Sequence, residues 1–143
     1  MPMIPYYERF PRKAFREMRS ILVFEHDSLP PGRYGFLELY CNETGCDCRH
    51  VHLQVLRADT GPRIWASISY GWEDRAFYEK KLGDRELAQE MAGASLDPIN
   101  PQTVHSQALL EIFRNEVLTD TPYTQRLERH YREFKNKGAS AHR

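Results

Sequence analysis

All three cysteines of this 143-residue chain, Cys41, Cys46 and Cys48, fall within eight residues, and His50 and His52 follow at once. Thiolates and imidazoles are the preferred ligands of zinc. The block from Cys41 to His52 therefore reads first as a metal site. Its spacing, C-x4-C-x-C, is not the paired C-x2-C of the common zinc modules. It points to a metal without pointing to an activity. The same thiols allow a second reading, a thiol-dependent redox protein or enzyme, because neighbouring thiols exchange with a disulfide. Free cysteines packed in a core are a third.

The flanks suggest how the thiols are placed. Residues 33–41 and 48–56 are rich in aromatic and branched residues and alternate in polarity, as strands do. Asn42-Glu43-Thr44-Gly45 between them is turn material. A four-residue loop would pair Cys41 with Cys46, Leu39 with Cys48, Glu38 with Arg49, Leu37 with His50 and Phe36 with Val51. Directly paired residues share a face. Phe36, Val51, Leu53 and Val55 would then lie on one side, and the three cysteines, His50 and His52 on the other. Two residues of strand put Cys48 about 7 Å from Cys46 and His50 roughly 13 Å away. His50 can be the fourth ligand only if a bulge at Asp47 to Arg49 bends the strand. We take Cys41, Cys46, Cys48 and His50 as the metal-ligand set, with His130 and His105 as alternatives for the fourth position. A site with no fourth side chain would leave that place to water.

Other features carry less chemistry. His130 flanks the apolar face of the last helix, where a histidine more commonly makes a core hydrogen bond than a metal bond. His26 ends a strand and His142 lies in the C-terminal tail. Trp72-Glu73-Asp74 reads as a helix start, where acidic residues suit the positive end of the helix dipole. Walker, dinucleotide-binding, serine-hydrolase and H-E-x-x-H motifs are absent from the sequence. No catalytic residue can be named. Cys46-Asp47-Cys48 is similar to the C-x-C half of the metal-binding tail of the secretion ATPase. That tail continues to a further Cys-His or Cys-Cys pair, which is missing here, so none of its function is carried over.

The rest of the chain supplies the scaffold. Its length suits one domain over residues 1–143. Hydrophobic residues make up 41% and charged residues 28%, ordinary for a soluble protein. The formal net charge is zero, which argues against nucleic acid or an anionic membrane as a partner. No apolar run is long enough to span a bilayer, and the N-terminus lacks a signal-peptide core. A cytoplasmic location follows as the expectation, and there clustered thiols stay reduced.

Residues 1–19 form a basic, aromatic arm, with Pro11 opening a short helix over Ala14, Phe15 and Met18. A nucleic-acid or protein adaptor using this arm and the basic last helix is the remaining alternative. Residues 20–71 carry four strands joined by turns, an antiparallel meander. From 74 to 138 the period becomes helical. Asp74 and Asp84 cap two helices, the second running to about Ala92. Asn100-Pro101 opens a helix to about Leu118, and Thr121-Pro122 opens one closed by Gly138. Strands followed by three to four helices packed on the sheet make the fold class α+β.

Overall fold

The computed structural model describes residues 3–141, with side chains as far as residue 137. The fold is α+β, with six strands in one antiparallel sheet and six helices. The order is β1 (Met3–Pro5), α1 (Tyr6–Arg9), α2 (Pro11–Glu17), β2 (Arg19–Val23), β3 (Gly32–Cys41), β4 (His50–Arg57) and β5 (Ile64–Gly71). Then come α3 (Arg75–Leu82), α4 (Arg85–Met91), β6 (Gly93–Leu96), α5 (Ser106–Ile112), a π-helical turn (Phe113–Val117) and α6 (Thr121–Ala141).

From β2 to β5 each strand pairs antiparallel with the next, as the turn signals require. Two further strands flank this meander. β1 pairs with the C-terminal end of β3, and β6 pairs with β5 at the far edge. Both are too short to show a period in sequence. The arm therefore belongs to the sheet, and its Tyr6 is 2% exposed. Its helix α2 starts at Pro11 as expected, but Phe15 is 90% exposed. β2 ends at Val23, leaving Phe24 and His26 exposed.

The helix boundaries follow their caps. Asp74 accepts the amide of Phe77, and Asp84 accepts those of Glu86 and Leu87. Asn100-Pro101 does not open a helix. Asp97 accepts the amides of Ile99 and Asn100, and the Gln102 side chain bonds both Ser67 N and Ser67 O. These bonds hold 97–105 against β5 in an irregular course, and α5 begins only at Ser106. Leu118 N bonds Phe113 O, an i→i+5 bond that makes the turn after α5 π-helical. The helix also runs through Gly138 to Ala141, so that glycine does not close it. His142 lies outside the described residues.

Alternation divides the sheet faces. Phe36, Tyr40, Leu53, Val55 and Ile68 are buried toward α5 and α6, where Phe36 and Tyr70 meet Phe113 and Tyr40 meets Phe134. The other face is covered at the end of β5 by α3 and α4. They press closely on Gly71: a Cβ there would lie 2.5 Å from the Tyr78 hydroxyl and closer still to the Met91 carbonyl oxygen. Backbone cannot yield as a flexible side chain can. We expect Gly71→Ala to destabilise the fold by about 1–3 kcal/mol. Urea unfolding checks this, and unchanged stability would show that α3 and α4 can lift without cost.

Candidate metal centre

Cys41 ends β3, where it pairs with Met3 of β1. The chain then leaves the sheet for eight residues, 42–49, before β4 begins at His50. Within this loop Cys46 N bonds Glu43 O, and Gly45 stands at φ 81°, the third position of a type II turn. The turn is where the sequence places it, but the hairpin register is not. Leu39 pairs with His52, not Cys48, and Phe36 pairs with Val55, not Val51, a displacement of four residues. An even displacement leaves every residue on its face. The buried set Phe36, Val51, Leu53 and Val55 is therefore unchanged. Cys41 and Cys46 do not pair, and Glu38 does not meet Arg49.

Arg49 has φ 47°, the only non-glycine residue with positive φ among those described. Its backbone is held from both sides. Its amide donates to the Tyr131 hydroxyl of α6 at 3.1 Å, and its carbonyl accepts the Tyr78 hydroxyl of α3 at 2.7 Å. Its guanidinium forks onto Asp47 and reaches Glu73. A left-handed residue breaks the alternation of a strand. Cys48 before it joins the other thiols, while His50 after it reaches Ser69.

The three thiols nevertheless meet. The Sγ atoms of Cys41, Cys46 and Cys48 all lie within 4.8 Å of one another. Zinc–sulfur bonds of about 2.3 Å need sulfurs roughly 4 Å apart, so this group is close enough to hold a metal ion. Cys41 is 1% and Cys48 9% exposed, while Cys46 is half-buried. The Cys46 thiol hydrogen-bonds with those of Cys41 and Cys48. The amide of Glu43 donates to Cys41 Sγ at 3.3 Å, a contact of the kind that orients a thiolate ligand. Burial pushes the Cys48 thiol up to about 12, helped by the other two thiols, and also raises Cys46; Lys135 opposes both. Thiols held this way stay protonated until a cation displaces the proton.

The nominated histidines go elsewhere. His50 Nε2 is 2.8 Å from Ser69 Oγ, and its ring packs edge-on to His52. Burial and His52 hold its pKa down at about 3. His130 is buried between Glu38 and Glu17, at 2.7 and 3.0 Å. His105 stacks on Trp65, with Nδ1 3.0 Å from Ser28 O. Among the described residues, no histidine or carboxylate joins the three thiols. We expect His50→Ala to leave metal affinity within about twofold while lowering stability through the lost Ser69 bond. A hundredfold loss of affinity would restore His50 to the site.

Residues that sequence reasoning missed position the loop. Tyr131 donates to Cys46 O at 3.4 Å, and Lys135, one turn on, donates to Glu43 O at 3.3 Å. Arg9 reaches Asn42 Oδ1 and Phe134 O. Arg9, Asn42 and Lys135 line a cavity of about 240 Å³ together with Cys41 and Cys46. The i, i+4 spacing of Tyr131 and Lys135 signals a shared helix face, but nothing in the sequence says what that face covers.

No helix among the described residues is long and apolar enough to cross a membrane. No family model matches the chain, and neither the curated proteins nor the solved structures contain a match to it.

Proposed function

We propose that this is a small zinc-binding protein in which Cys41, Cys46 and Cys48 hold one ion. The observation that carries this reading is the convergence of three sulfur atoms within 4.8 Å, two of them on buried residues. The ion ties the end of β3 to the loop before β4, which Tyr131 and Lys135 already fasten to α6 by hydrogen bonds. Its role is structural. A solvent molecule or another small ligand would take the fourth position. Three soft thiolates suit zinc and disfavour calcium or magnesium, which take oxygen ligands.

The redox reading has less support. A reactive cysteine needs a depressed pKa, and burial raises those of Cys46 and Cys48. The adaptor reading also weakens, because several basic groups of the arm are engaged within the fold. Arg9 bonds Phe134 O, Lys13 pairs with Glu133 and Arg19 with Asp120.

The test is elemental analysis of the full chain purified without added metal, followed by exchange with Co(II). We expect near one zinc per chain, and sulfur-to-cobalt charge-transfer absorption that disappears in the triple Cys→Ser variant. Folded protein that is metal-free and takes up neither ion would overturn the proposal.

A further inference from the structure

A second cavity, about 780 Å³, opens on the sheet face turned away from α5 and α6. Its floor includes Leu39, His52 and Ser69, one wall is α4 with Leu87 and Met91, and the other is the 95–100 segment. The floor carries a histidine–carboxylate dyad. His52 Nδ1 lies 3.0 Å from Asp97 Oδ2. Asp97 is 5% exposed, and its carboxylate also accepts the amides of Ile99 and Asn100 and the Asn100 side-chain nitrogen. Burial works against the charge of Asp97, but these hydrogen bonds prevail and keep its pKa below the ordinary value. An ionised carboxylate can only accept. Burial lowers the His52 pKa below its ordinary value against the pull of Asp97, so the ring is neutral; its one proton faces the carboxylate at Nδ1, and Nε2 keeps its lone pair. No described residue donates to that nitrogen, and His52 lines the cavity.

A carboxylate on one ring nitrogen fixes the tautomer and leaves the other nitrogen as an acceptor. Ser69, directly across from His52 on β5, adds a hydroxyl to the same floor. The remaining lining is apolar for the larger part of its surface, with Gln54, Ser67, Glu90 and Ser95 among its polar members. Ile99, on the rim, is 89% exposed and Leu87 42%. Concave, mostly apolar walls with a few convergent polar groups are the usual form of a small-molecule site.

From this geometry we infer that the cavity binds a small, mainly apolar molecule bearing a hydroxyl group that donates a hydrogen bond to His52 Nε2. Asp97 is a positioning residue: it holds the imidazole as an acceptor toward the cavity. The site is independent of the three thiols.

The test uses 4-methylphenol and its methyl ether, 4-methylanisole, as probes, titrated into the full-length 15N-labelled protein. The phenol should bind at least tenfold more tightly than the ether and shift the His52 Nε2 resonance. In Asp97→Asn the amide can donate to Nδ1, so Nε2 becomes the donor and the preference for the phenol should vanish or reverse. Should that variant misfold, His52→Phe serves instead: it keeps an apolar ring and should bind both probes equally. Leu87→Trp, at the exposed rim, should weaken both. Equal affinity of the two probes for the unmodified protein would overturn the inference, as would absence of saturable binding or resonance shifts confined to other parts of the protein.

Discussion

Stripping the metal with a strong chelator should lower the melting temperature by on the order of 10 °C, and adding zinc back should restore it. The size follows from linkage: free zinc at a thousand times its dissociation constant stabilises the native state by about 4 kcal/mol. In a domain of this size each kcal/mol moves the midpoint by roughly 2–4 °C. The three cysteines should divide this effect unequally. Cys46 is half-buried, so Cys46→Ser should melt like chelated wild type and show little more. Cys41 and Cys48 are buried, and a serine hydroxyl there needs a partner. Cys41→Ser and Cys48→Ser should lose the metal effect and a further cost of about 1–3 kcal/mol that chelation of the wild type does not produce. Calorimetry with and without chelator separates the two contributions. If all three variants melt like untreated wild type, the thiols hold no stabilising ion.

Breaking the His130 network should cost about 3–5 kcal/mol, more than any surface change, because it strands a buried charge. His130 is fully buried and lies between Glu38 of β3 and Glu17 of α2, so one side chain of α6 joins three elements. Glu38 also accepts the Tyr40 hydroxyl at 2.7 Å, Glu17 takes Arg129 at 2.7 Å, and Tyr6 stacks on the imidazole at 4.1 Å. Burial disfavours the imidazolium, yet the two carboxylates outweigh it and raise the His130 pKa above its ordinary 6.5. A raised folded pKa contributes stability below pH 6.5, lost as pH climbs through the folded value. For Glu17 burial again opposes the charge, but His130 and Arg129 prevail and lower its pKa from 4.5. Its contribution is present above pH 4.5 and lost as pH falls through the folded value. The stability difference between wild type and His130→Gln should therefore peak between about pH 4.5 and 6.5 and shrink on either side. Urea midpoints of both proteins from pH 4 to 9 measure it. A difference that grows steadily above pH 7 would mean that His130 is held neutral.

The two effects meet on α6, which positions the loop through Tyr131 and Lys135 and the sheet through His130. The three thiols are therefore held in place by a helix that contributes none of the sulfurs. Weakening the His130 network should loosen the centre as well, and zinc affinity of His130→Gln at pH 6 reads that coupling.

Much of the scaffold was legible from local patterns. Alternation identified β3, β4 and β5, the carboxylates of Asp74 and Asp84 marked two helix starts, and the apolar spacing of Leu127, Tyr131 and Phe134 marked the buried face of α6. These signals work because capping and amphipathicity act over a turn or a few residues of chain. β1 and β6 were not legible, since strands of three and four residues exist only by virtue of their partners. Asn100-Pro101 carried a sound local start signal, but the hydrogen bonds of Gln102 to Ser67 overrode it.

The candidate site divides along the same line. Three thiols within eight residues and a turn at Gly45 were legible in the sequence, but the hairpin register was not: it lies four residues from the expected one. Only the tertiary structure decided which groups meet. Arg49 takes a left-handed conformation because Tyr131 and Tyr78 bind its backbone from two helices, and that conformation sends Cys48 toward the other thiols and His50 toward Ser69. The dyad of His52 with Asp97 likewise joins residues far apart in the chain. Residue types and short-range periodicity are properties of neighbouring residues. A long-range hydrogen bond that reverses one backbone dihedral belongs to the packed fold, and no local pattern encodes it.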